Sequence, residues 1–302
     1  METVRAAWEA LVEAAALREE DGFSTAEVDG AWEDPRRSEL DEDAFLASIR
    51  LRYPWRRIAV LSGGWLLGCV ALHGVAHGII HASVAKDILA AMPPEDANIY
   101  LAEHVVSWVH GAIMGIGGLW AVAGVRLFDD SVTRPYPPIL DSYYACHLGY
   151  TLYDLVTMAL HGGETPSMWA HHIAGVVGSA LMPCLRSLAF IPTAFFITEL
   201  TVLPQNVLWF CQRLQVDRSS LFYRGLLFAR AVFYLAFRAP ALFFVVLYAW
   251  RRGLRPARFL KLPGYVQALV SVILGGLGFL NTQWSQQVVT TYITSELTVL
   301  TS

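Results

Sequence analysis

The chain has 302 residues, of which 55% are hydrophobic and 16% charged, and its mean hydropathy of +0.43 excludes an ordinary soluble domain and points to a polytopic membrane protein. The formal net charge of −4 joins two unlike regions: residues 1–50 hold 14 of the 26 acids but only 5 of the 22 bases, and the remainder is net basic. An acidic, soluble first stretch argues against nucleic acid as a partner.

The first residues are acidic, with no basic segment ahead of an apolar one, so no targeting peptide is expected there. ETVRAAWEALVEAAALREE places Val4, Trp8, Leu11, Val12 and Ala15 on one side of an amphipathic helix. Its polar face is acidic, which weakens a contact with anionic lipid. Asp21 to Asp43, interrupted by Gly22, Gly30 and Pro35, reads as a linker and lacks the ligand spacing of a calcium loop. Residues 1–50 are therefore expected to form an acidic cytosolic region.

Seven stretches have the roughly 20 apolar residues that cross a bilayer: near 57–80, 103–125, 142–161, 167–185, 188–210, 226–250 and 264–285. The fourth and fifth are so close that a tight hairpin is expected around Leu185 to Leu188. Bases collect on one side of this arrangement, at Arg50, Arg52, Arg56, Arg57, Arg126, Arg134, Arg186 and the run from Arg251 to Lys261. The other side has Lys86, Arg213, Arg218 and Arg224. The positive-inside rule then puts the N-terminus in the cytosol and the C-terminus across the membrane.

The four cysteines, Cys69, Cys146, Cys184 and Cys211, fall in or at the ends of these spans and read as small apolar core residues. Gly63, Gly64, Gly68, Gly115, Gly117, Gly118, Gly275, Gly276 and Gly278 read as sites of close helix approach. Pro166 should open the fourth span, and Pro192 and Pro204 should kink the fifth.

Ionisable side chains at mid-bilayer cost about 2.5–3.5 kcal/mol on insertion scales, so they should face the bundle interior. On the third span His147, Tyr150, Asp154 and His161 share one helical stripe. Glu199, Asn206 and Arg213 recur every seven residues on the fifth span, and Arg230, Tyr234 and Arg238 every four on the sixth. The fourth span reads MWAHHIAGV, with His171 and His172 adjacent. Neighbouring helical residues point about 100° apart, so one imidazole is expected to face the cavity squarely and the other to brace a neighbouring helix or face the interface.

The succession LGYTLYDLVTMAL, WAHHIAGVVG and FITELTVLPQNVLWF, followed by an apolar span with Arg230, resembles the TLC-domain family, which includes the ceramide synthases. VVSWVHG at 105–111 is similar to the opening helix of that domain. The resemblance covers roughly 103–285 and implies an all-α fold, with six of about seven transmembrane helices forming a bundle or barrel around a lipid-accessible cavity. The span in residues 51–102 would lie outside it, and 286–302 would form a tail. Tyr150, Asp154, His171, His172, Glu199, Pro204 and Asn206 stand at motif positions. In ceramide synthases the paired histidines belong to an acyl-transfer site. Here FITELTVLPQN follows where the synthases carry further His and Asp residues, so the chain resembles the non-synthase branch and ceramide synthesis is not carried over.

The leading expectation is an integral membrane protein that binds or processes a lipid, most simply an acyl chain, and influences lipid homeostasis in the endoplasmic reticulum or another endomembrane, with the plasma membrane as the alternative location. Enzymatic activity stays open. If it occurs it would be acyltransferase-like, with His171, His172 and Asp154 catalytic, and with His147, Tyr150, Glu199, Asn206, Arg230 and Arg238 lining the cavity. No metal or resident cofactor is expected, and acyl-CoA would enter only as co-substrate. A non-catalytic receptor or trafficking protein with a structural polar core is the alternative. A di-iron hydroxylase is a lesser one, suggested by His73, His77 and His81 but lacking repeated H-x2/3-HH boxes.

Overall fold

The computed structural model describes residues 55–124, 139–162, 164–183, 195–241, 243 and 263–301. The acidic region 1–50, the basic run from Arg251 to Lys261, Cys184, Pro192 and the turn around Leu185 to Leu188 lie outside the described residues. Among the described residues every regular element is helical and no strand occurs. The chain is an all-α membrane protein.

Helix α1 spans Trp55–Ser83 and is followed by a short α2, Lys86–Ala90. A π-turn at Asp96–Tyr100 runs into α3, Leu101–Gly124. Then come α4, Ile139–His161, and α5, Pro166–Leu181. A 3-10 turn at Ile197–Thr201 leads into α6, Val202–Arg213. Helix α7, Leu221–Phe233, continues as a π-turn through Tyr234–Arg238, and α8 covers Gly264–Thr301.

The helix ends follow from local chemistry. Thr165 caps α5 by accepting from the Met168 amide at 3.3 Å, and Pro166 fills the first position, where a missing N–H costs nothing. Ser220 caps α7 through the Tyr223 amide at 3.2 Å. Pro204 has no amide to offer the Leu200 carbonyl four residues back, and the chain before α6 winds as a 3-10 turn. Ahead of Pro240, α7 loosens into its π-turn, closed by the Ala239 amide on the Tyr234 carbonyl at 2.8 Å.

Six helices close a ring in the order α3, α4, α5, α8, α7, α6, each packed on its two neighbours, and α1 lies outside against α4 and α3. Helices α5 and α6 pack on different partners in this ring. The outer surface is apolar, with Leu67, Leu160, Val272 and Phe279 exposed, while acids, imidazoles and guanidinium groups are buried. This inversion suits hydrocarbon as the solvent. Three helical stretches, Arg56–Ser83, Asp96–Trp120 and Gly264–Ser295, are long and apolar enough to span a membrane by themselves.

Glycine has its packing role at only some of the expected positions. A Cβ on Gly115 would lie 2.7 Å from the Leu200 amide nitrogen, and one on Gly117 would overlap the Tyr143 ring. Gly63, Gly64, Gly68, Gly275 and Gly276 would meet nothing within 4 Å. Gly149, by contrast, brings α4 against α1 so tightly that its Cβ would lie 2.6 Å from the Ser62 carbonyl. Cys69, Cys146 and Cys211 are buried free thiols.

Candidate functional site

The ring encloses a cavity of about 1100 Å³. One end is plugged by an apolar cluster from α3, α4, α5, α8 and the start of the α6 segment, including Met114, Tyr143, Tyr144, Met182, Phe196 and Val270. The other end is rimmed by Tyr100, Glu164, Arg213, Arg218, Arg224 and Ser295. From Arg224 at the rim to Arg238 near the floor is 14 helical residues, roughly 21 Å of depth.

His147, Tyr150, Asp154, His171, His172, Glu199, Asn206, Arg230 and Arg238 all line this one space. His161 does not: it is the last residue of α4 and is exposed. The stripe on α4 thus ends with Asp154.

The two adjacent imidazoles both reach the cavity, because α5 stands between α4 and α8 in the ring. His172 turns towards α4, where its Nε2–H donates to Asp154 Oδ2 at 2.9 Å, both side chains being buried. In a neutral ring so held, Nδ1 is the basic nitrogen. His171 turns towards α8 and meets the edge of Trp284, with centroids 5.3 Å apart. Its Nδ1 is buried without a hydrogen-bond partner. The two rings stand nearly perpendicular, 5.2 Å apart. Both rings thus border one space, the 100° between them being used by two neighbouring helices, with His171 also meeting α8.

Around this pair the polar groups have divided roles. Asn206 donates to the His104 carbonyl at 3.0 Å, tying α6 to α3. His147 Nδ1 is 3.1 Å from His110 Nε2, and the His110 ring stacks on Tyr150 at 3.7 Å. Glu199, buried on the 3-10 turn, stands within electrostatic reach of Arg238 and His172. The Arg238 guanidinium lies over Tyr234 at 5.2 Å and Trp284 at 5.1 Å. Trp284 therefore meets both the floor cation and His171. Arg230 donates to Gln205 Oε1 at 3.3 Å, and its Nε has no partner. At the rim Arg213 pairs with Asp96 at 3.0 Å.

Several residues in the wall or packed behind it were not singled out from the sequence. Glu103 is buried and lies 2.7 Å from His104. Glu103 and His110 stand seven apart on α3, the same interval as Glu199 and Asn206, so spacing could have found them. Trp284 gave no such signal, since an aromatic in an apolar helix looks like core.

His73, His77 and His81 do not converge. His73 is 2.6 Å from the Tyr153 hydroxyl, His77 stacks on His81 at 4.2 Å, and His81 Nε2 bonds the Ala97 carbonyl at 3.0 Å. Among the described residues no group of three or more His, Cys, Asp or Glu stands close enough to hold a metal ion.

An all-helical membrane protein with a polar cavity inside a six-helix ring is the class these observations define. Residues 101–290 match the family model of the TLC domain, and the chain belongs to that family. It is thereby an integral membrane protein of a lipid-related family. No curated protein and no solved structure matches the chain.

Proposed function

We propose that this protein takes a lipid, through its acyl chain, into the ring cavity and so acts on membrane lipid composition. Its N-terminus lies in the cytosol, and the membrane is the endoplasmic reticulum or another endomembrane. One observation carries the reading: the buried His172–Asp154 pair in the cavity wall, with His171 beside it. A polar pair of this kind is costly inside a bilayer and serves an interior reached by a ligand. The volume exceeds the roughly 300–1,000 Å³ usual for small-molecule sites, which suits a long, flexible ligand.

If the cavity supports chemistry, acyl transfer is the reaction its groups fit. His172, oriented by Asp154, would take the proton of an attacking hydroxyl or amine. The new acyl bond would form as the thioester C–S bond of an acyl-CoA breaks, and the proton would pass to the departing thiolate. A purely structural reading draws on Asn206 and Arg213, which tie α6 to α3 and to Asp96. It makes residues 1–50 the working part.

Native mass spectrometry of the purified protein tests the first reading, together with cellular lipid profiles of the double variant His171→Ala, His172→Ala. Retained lipid and a changed lipid class are expected. No retained lipid and unchanged profiles, with function lost on deleting residues 1–50, would replace it with the structural reading.

A further inference from the structure

Carboxylates and guanidinium groups deep in this cavity come with a basic or acidic partner, with one exception. Asp154 has His172, Glu103 has His104, and Arg238 has Glu199 within electrostatic reach. Arg230 has none among the described residues. It is 9% exposed, lies on a helix of the ring and lines the cavity. Its hydrogen-bond partner is the neutral amide oxygen of Gln205, and the ionisable groups within electrostatic reach are two tyrosines, Tyr223 and Tyr234. Its Nε is buried and unpartnered.

A guanidinium is always charged and cannot escape burial by losing its proton. An uncompensated cation in a membrane helix is a strong demand for an anion, and its planar fork matches carboxylate and phosphate oxygens. Arg230 sits six residues below the rim residue Arg224, roughly 9 Å into the cavity. His172 lies seven residues beyond Thr165, the cap of α5, and so stands at about the same depth.

We infer that Arg230 is a head-group site: it takes its counter-ion from the ligand, a singly charged amphiphile whose carboxylate or phosphodiester enters through the arginine-bearing rim and stops at the level of the His172–Asp154 pair. The inference rests on the lipid reading of the cavity and adds that the lipid is anionic.

Binding to the full-length protein in nanodiscs decides it, with two probe pairs: oleate against methyl oleate, and phosphatidylglycerol against diacylglycerol. At least one anionic member should bind 10-fold or more tightly than its neutral counterpart. The matching carboxylate or phosphodiester arm identifies the head group. Arg230→Gln should erase that preference and Arg230→Lys should keep most of it. Equal binding of charged and neutral members, or a preference that survives Arg230→Gln, overturns the anionic assignment while leaving the lipid cavity standing. Binding of neither kind removes both. Because the wild-type comparison needs no variant, a misfolded Arg230→Gln protein leaves the question decidable.

Discussion

His172 on α5 and Asp154 on α4 meet at 2.9 Å, and that contact fixes an imidazole in the wall of a cavity closed below by apolar side chains. It is also a fastener between two ring helices, since both partners are buried. The proposed function and the stability of the ring therefore rest on one pair.

Asp154→Asn keeps a hydrogen-bond acceptor but removes the charge. It is expected to lower stability in detergent by about 1–3 kcal/mol, the worth of a buried charge-assisted hydrogen bond. With His172→Ala the two losses should be less than additive in a double-mutant cycle read by thermal unfolding. Full additivity would show that the contact does not form.

The ion pair at the rim should behave differently. The Arg213 side chain is 40% exposed, so solvent screens one end of its 3.0 Å contact, while Asp96 is buried. Arg213→Gln removes the cation but leaves an amide donor for that carboxylate, and is expected to cost about 1–2 kcal/mol in the same unfolding measurement.

Glycines sort by what surrounds them. Gly149→Ala and Gly115→Ala would push a methyl into the Ser62 carbonyl and the Leu200 amide, and about 1–3 kcal/mol of destabilisation is expected from overpacking. Gly276→Ala meets open space and should be neutral or stabilising by up to about 1 kcal/mol through helix propensity. Melting temperatures of the three variants check the order.

In the loop between α6 and α7, Asp217 accepts from the Ser219 amide at 2.8 Å and from its hydroxyl. These bonds, the backbone one first, hold its carboxyl below the usual carboxylate range. A lowered value means the contribution is complete above the ordinary value of about 4 and disappears as pH falls through the folded one. Hydrogen exchange should show the Ser219 amide protected at neutral pH and released only in acid.

Sequence made the polar stripes legible for a physical reason: hydrocarbon penalises charge, so helical spacing on α4, α6 and α7 marks which face turns inward. Asp154, Glu199, Arg230 and Arg238 could be placed on a common interior before any coordinates. The same logic reaches Glu103 and His110, seven residues apart on α3. It could not reach Trp284, whose contact with both Arg238 and His171 depends on α8 closing the ring. Nor could it order the ring, because a short connection says nothing about which helices pack. His161 shared the stripe by arithmetic, but α4 ends with it and leaves it exposed.

The central claim is that the six-helix ring holds a lipid beside the imidazole pair. A density map of the purified protein at side-chain resolution tests it most directly. Elongated density running from the Arg213–Arg224 rim past Arg230 to His171 and Trp284 is the expected result; a cavity filled by side chains or water alone, with lipid density confined to the outer surface, would contradict it.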